Sequence, residues 1–363
     1  MRRVVLGLLA LLLVVPLIAA GLLQRQASAL GKPLVADANT LAAARHTIVG
    51  APRSGSIFDC LGPQADAAPD ISRTLAWSDP SILAVASGAA PVSSLNATQL
   101  GELEATRPWL EATLACGQLS DVAPTAGIGP FADFRHGRRQ SMPRLMEALS
   151  SAGALALRSE LQNGNADLVL DRCVDGLVLT LAWLRLEGFE SMLPVLGPSN
   201  RFLSACRDAK PLASADARGR FAARANGLRA LTPTYADVIF VERTQLALRL
   251  FGAWLPDSLD AELPAEARVG TRSARESKWA RGFTATMALR LYWKRFDSGM
   301  REIETACALT PVPRDAAIVL AQKHLEAPFL KRYFAADPVD LKYEMYSGYV
   351  DNLGAGVTAV TAP

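Results

Sequence analysis

Three histidines, five cysteines and one dense run of arginines are the residues whose types could do chemistry in this chain. His136, in "FADFRHGRRQS", has Asp133 and Ser141 nearby, the composition of a nucleophile, base and acid set. Such a triad needs its serine on a sharp elbow and its base oriented by a held acid. No GxSxG occurs, and a basic, glycine-containing loop holds nothing in place, so a surface histidine is expected. His324, in "AQKHLEAPF", has Glu326 two residues on, which projects from another side of a helix. His46 follows the leader closely, where a catalytic role is not expected. HExxH, Walker A and GxGxxG are all absent, so no cofactor and no resident metal are expected, and the catalytic residues are unknown. Carboxylate pairs acting on glycans need proximity in space rather than a motif, which keeps a lipid- or glycan-acting hydrolase as the rival activity.

The arginines suggest contact rather than catalysis. Residues 268–301, "RVGTRSARESKWARGFTATMALRLYWKRFDSGMR", hold nine basic residues against Glu276 and Asp297. Arg268, Arg272 and Arg275 step by four and three, the spacing of one helix face, with Lys278 and Trp279 beside them. Such a stripe suits an anionic lipid or glycan, or an acidic envelope protein. Its ordinary role is a solvated face paired with acids of the same fold. Asp167, Asp171 and Asp175 form a shorter acidic stripe and read as a solvated helix face.

The cysteines depend on compartment. Cys60, Cys116, Cys173, Cys206 and Cys307 contain no CxxC, against thioredoxin-like redox chemistry and metal binding. In an oxidising compartment neighbouring thiols pair and an odd one is left over. Cys60 and Cys116 both lie beside glycine-containing breaks and are the favoured bridge, leaving Cys307 free. Cys173 with Cys206, across a helical hairpin, comes second.

The leader decides the compartment. Val4 to Leu23 is twenty residues without a charge, preceded by Arg2 and Arg3. A bilayer core about 30 Å thick needs roughly 20 helical residues, so this run can span. The arginine pair should stay in the cytoplasm and send the rest across. The run exceeds an ordinary signal peptide's apolar core of roughly 7 to 15 residues, which favours a retained signal-anchor at 1–29. The small-x-small site Ala27-Ser28-Ala29 keeps cleavage, and a soluble periplasmic product, as the alternative. Residues 1–29 carry three arginines and no acid, so the remainder of a +3 chain is formally neutral, and nucleic acid is not an expected partner. Abundant arginine and alanine resemble proteins of high-GC bacterial genomes and suggest a periplasm.

The elements that must position these residues are helices. Residues 30–68 read as a membrane-proximal stalk and 69–363 as one all-helical domain of antiparallel αα-hairpins. Asn96 and Gln99 form a capping box opening "ATQLGELEATRPWLEATLACG", with Pro108 breaking or kinking it. "PRLMEALSSAGALALRSELQ" and "ADLVLDRCVDGLVLTLAWLRLE" are apolar-periodic segments joined by Asn163-Gly164-Asn165. This hairpin resembles one tetratricopeptide-type unit in its alanine and glycine placement. It lacks that family's Trp-Leu-Gly-Tyr signature, and no such period recurs, so it is read as a generic αα-hairpin. Further helices are expected near 199–209, 213–230, from Thr232-Pro233 to Trp254, and over 271–296, 299–309 and 314–334. No segment alternates like a strand. These features favour a non-catalytic binding or scaffolding protein of the bacterial envelope, anchored in the inner membrane. A carrier of an apolar ligand is a further alternative, marked by a large apolar cavity.

Overall fold

The computed structural model describes residues 2–76, 78–123, 141–186, 189–252, 255–268, 297–298, 301, 304, 350 and 352–362. The chain divides into two compact units, one of residues 1–42 with 243–341, the other of residues 43–242 with 342–363. Among the described residues helices dominate both, as the apolar periodicity predicts.

The second unit is built on α5 (Ser141–Gln162), α6 (Ala166–Leu186), α7 (Phe189–Ala209) and α8 (Ala215–Leu231). Asn163-Gly164-Asn165 turns the chain between α5 and α6, with Gly164 at φ 82°, a left-handed conformation that glycine adopts without steric cost. Every residue of α6 from Cys173 to Leu184 is buried. A helix apolar nearly all round belongs at the centre of a bundle, and α5, α7 and α8 all pack on it. Gly176 makes the closest approach possible: a Cβ there would stand 2.4 Å from the Phe202 ring of α7. About one turn away, Cys173 and Cys206 form a disulfide with Cα atoms 5.5 Å apart.

Preceding this bundle, α4 (Ala97–Cys116) opens on the expected capping box, Asn96 and Gln99 each accepting from the other's backbone N–H. Pro108 does not break it. One lost backbone bond is outweighed where Leu103, Leu110 and Leu114 bury together on the same helix. α3 (Pro80–Ser87) begins at its Asp79 cap and ends at Gly88.

Two sequence expectations are corrected near the start of this unit. Strands are present: β1 (His46–Thr47), β2 (Arg53–Ser56) and β3 (Leu119–Val122) form a small sheet in the order β1-β3-β2. β1 runs antiparallel to β3, and β2 runs parallel to it. Strands of two and four residues are too short for alternation to be legible. Residues 46–68 are also no stalk. Ser56 caps α2 (Ile57–Asp66), whose Ile57, Phe58 and Leu61 are fully buried. Phe58 meets Trp183 of α6 with ring centroids 6.1 Å apart. Cys60 of α2 is bonded to Cys116 at the end of α4, Cα atoms 5.6 Å apart, the favoured pairing. Of the glycines and prolines that suggested a stalk, Gly62 and Pro63 lie within α2, and Gly50 serves a turn. At Gly50, φ 79°, a Cβ would stand 2.3 Å from the Ala223 carbonyl oxygen of α8.

In the first unit α1 runs unbroken from Arg2 to Ala43. Ala27, Leu34, Val35, Ala38 and Leu41 are buried, so the residues just beyond the leader also belong to a folded unit. Gly31 lets the helix meet Leu255 and Leu259, whose methyl carbons would lie 2.7 and 2.8 Å from a Cβ there. Leu259 belongs to α10 (Asp257–Glu262). Val14, Ile18 and Leu22, spaced by four, are exposed. Among the described residues no helix is long and apolar enough to cross a membrane. The side chains of 2–13, 15–17, 20 and 23, the larger part of the apolar run, lie outside those described.

α9 (Tyr235–Phe251) begins later than Thr232-Pro233 suggested, because Thr232 closes α8 by donating its N–H to Leu228. Thr234 and Asp237 then form the reciprocal cap. The boundary between the two units falls within this helix, at Glu242 and Arg243.

Candidate functional site

The acidic stripe of α6 is not solvated as expected. It faces α8, rung by rung. Asp167 accepts from the backbone N–H and hydroxyl of Ser214, both at 2.6 Å. Asp171 pairs with Arg220 at 2.7 Å, and Asp175 with Arg224 at 2.6 Å. The rungs deepen along the helix. Asp167 is partly exposed, and the two Ser214 bonds hold its carboxyl below the usual range. Asp175 is 1% exposed and its partner 8%, counting side chains. Burial pushes the Asp175 carboxyl up, and Arg224 and Gln118 pull it back. Gln118 donates to the second Asp175 oxygen at 3.1 Å, and Arg224 also donates to the Gly117 carbonyl at 2.8 Å. At Gly117 a Cβ would stand 2.2 Å from the Asp175 carbonyl, so the end of α4 touches the α6 backbone. An i, i+4 pair of arginines on α8, matching the i, i+4 acids of α6, was the available signal for this ladder.

A second closed network lies in the first unit. Arg243, fully buried, pairs with Asp37 of α1 at 2.6 Å, Asp297 at 3.1 Å and Glu304 at 3.2 Å. Arg301 joins from outside, 2.7 Å from Asp37 and 2.8 Å from Asp297. Removing one partner from a buried set of this kind leaves an uncompensated charge and is strongly destabilising.

One cluster of cations is arranged differently. Where α7 ends and α8 begins, a cleft of about 340 Å³ is lined by Arg207, Lys210, Pro211, Arg218, Ala359 and Val360. The last two come from a helix over 352–361. Lys210 is committed to structure: its Nζ donates to the Val360 and Ala362 carbonyls at that helix's C-terminal end and lies 5.7 Å from the centre of the Phe221 ring. Cations placed there complement the helix dipole. Arg229 holds the same end through Thr361. Arg207 is exposed, its contacts to Ser204 and Asp208 long at 3.3 and 3.4 Å. Asp208 makes its short bond, 2.7 Å, to Arg158 instead. Arg218 is exposed; its backbone N–H donates to the Ser214 carbonyl at 3.0 Å, and its side chain makes no hydrogen bond or ion pair among the described residues. The cleft is therefore lined by two exposed arginines, Arg207 held by long contacts and Arg218 with no side-chain bond among the described residues, together with the apolar Pro211, Ala359 and Val360. That arrangement can bind an anion; it holds no nucleophile and base.

Of the residues singled out from sequence, Arg268 is described. Its backbone is extended and its guanidinium donates to the Leu263 and Ala261 carbonyls at 3.1 and 2.9 Å. It closes the end of α10. Arg272, Arg275, Lys278 and Trp279 lie outside the described residues, as do Asp133, His136, His324, Cys307 and the Ser141 side chain. His46 sits on β1, half-buried, its imidazole pushed down in pKa by burial and then by Arg185. Both cysteine pairs are bridged, including the second-ranked Cys173 and Cys206. Among the described residues no group of three His, Cys, Asp or Glu could hold a metal ion.

No match sets a family. Comparison with family models, curated proteins and solved structures finds none. What the chain does rests on its own geometry.

Proposed function

We propose that this chain is a non-catalytic binding or scaffolding protein of the bacterial envelope, held in the inner membrane by residues 4–23 with its folded units in the periplasm. The observation that carries the binding reading is the open basic cleft. It lies at the end of α7, a helix bonded to the bundle centre through Cys173 and Cys206. Rigid helices with uncommitted charge suit recognition, because little ordering entropy is lost on contact. Two intramolecular disulfides support an oxidising compartment, since such bonds persist there and are rare in the cytosol.

Retention of the leader is supported by its continuity with the first unit. Ala27, first residue of the small-x-small site, is 1% exposed within α1, and Gly31 packs on Leu255 and Leu259 of the same unit. Peptidases cut most readily in exposed, irregular segments, and this one is helical and packed. Exposed Val14, Ile18 and Leu22 suit a lipid-facing stripe.

Carbonate washing and protease access test the proposal together. The chain should stay in carbonate-washed membranes and be digested by protease added to spheroplasts. Release by carbonate would overturn the anchor, and protection from protease would overturn the orientation.

A further inference from the structure

We infer that the cleft between α7 and α8 takes the phosphate head group of an anionic phospholipid, making the α7–α8 corner a second point of membrane contact. This deepens the binding reading above and rests on it for the compartment. The corner reads Arg207-Asp208-Ala209-Lys210-Pro211-Leu212, with Arg218 in the first turns of α8. Arg207 and Arg218 present planar forks of N–H donors, which match the oxygens of a phosphate. The cleft they line also includes Pro211, Ala359 and Val360, apolar surface that a free inorganic ion would leave bare. The ligand should therefore be anionic at one end and apolar at the other.

Leu212 strengthens the choice of a lipid. It directly follows Pro211 and is 68% exposed. A leucine standing into solvent, flanked by cations, is the composition of an interfacial membrane contact. The apolar side chain enters the acyl boundary while arginine and lysine meet the head groups. A chain already tethered to the bilayer gains further, because the second contact becomes intramolecular. Lys210 is occupied by the 352–361 helix and sets the cleft wall, so the phosphate falls to Arg207 and Arg218.

Hydrogen exchange of the full chain mixed with lipid nanodiscs tests this. Backbone exchange over 207–218 should slow in nanodiscs containing phosphatidylglycerol and not in phosphatidylcholine alone, and raised salt should reverse the effect. The double variant Arg207→Gln, Arg218→Gln should weaken that lipid-dependent protection by about tenfold or more, since each basic side chain at an anionic surface contributes independently. Leu212→Ser, which keeps every charge, should weaken it too. Equal protection in both lipids would overturn the inference, as would undiminished protection in the double variant with an unchanged melting temperature. Inorganic phosphate added in a neutral detergent is the remaining arm. Protection there equal to that of phosphatidylglycerol would show a free phosphoryl ligand and overturn the lipid assignment. Incorporation into the nanodiscs reads the anchor separately: a chain that stays in solution sinks the anchor, while its lipid-dependent protection still decides the cleft.

Discussion

Arg218 and Arg224 lie on one helix and carry one charge each, yet the molecule uses them oppositely. Arg224 is buried against Asp175, with Gly117 and Gln118 completing its surroundings. Arg218 lines the cleft with Arg207, and its side chain bonds to no acid among the described residues. The difference lies in what α6 offers. Its acids at 167, 171 and 175 meet Ser214, Arg220 and Arg224, and none meets Arg218 in a bond. Charge that the fold neutralises serves the fold; charge left over is available to a partner.

The comparison breaks most severely at Arg224. Arg224→Met leaves the Asp175 carboxylate buried without its counter-charge, a loss of about 3–5 kcal/mol by urea unfolding. A loss under about 1 kcal/mol would mean that the rung is hydrated and the pair ornamental. Next in size, Cys173→Ala with Cys206→Ala should cost about 2–4 kcal/mol, since the bridge restrains a long loop of the unfolded chain. Cys60→Ala with Cys116→Ala should cost slightly more, because its sequence separation is 56 against 33. Unfolding with and without reductant checks both.

The deepest rung also carries a pH signature. Burial raises the Asp175 carboxyl above its ordinary 3.8, so the folded chain binds that proton more readily than the unfolded one. Its contribution to stability is fullest in acid and is lost as pH rises through the raised value. Asp79, Glu160 and Asp167 are shifted down by their hydrogen bonds and act oppositely, losing stability as pH falls through their lowered values. Asp175→Asn removes the first contribution and leaves the others. Its urea midpoint should therefore fall more steeply on acidification than the wild type's; parallel slopes would show that Asp175 keeps an ordinary value. Smallest of all, Arg218→Gln should change stability by no more than about 0.5 kcal/mol, because an exposed side chain without a bonded partner has little to lose. A larger drop would place Arg218 among the structural cations.

The bundle was legible because its signals are local. Asn163-Gly164-Asn165, the Asn96 box and the apolar period over 166–186 each act within a few residues of sequence. The sheet was not, because β1 and β3 are short and more than seventy residues apart, and their pairing leaves no local mark. The acidic stripe was visible while its meaning was not. A run of acids reads as solvated until the helix opposite it is known, and α8 carries its arginines more than forty residues later. The cleft is harder still, since it joins α7, α8 and the 352–361 helix. The Cys60–Cys116 bridge matches the favoured pairing, although of the two glycine-containing breaks expected beside these cysteines only Gly117 follows a helix end, Gly62 lying within α2.

The account stands on an exported chain that keeps its leader and both bridges. The intact mass of protein extracted from membranes and alkylated without reduction tests these together. The account predicts a full-length chain starting at its leader and carrying one alkyl group, on Cys307. A mass beginning at Leu30 would contradict the anchor, and five alkyl groups would contradict both disulfides and the periplasmic placement with them.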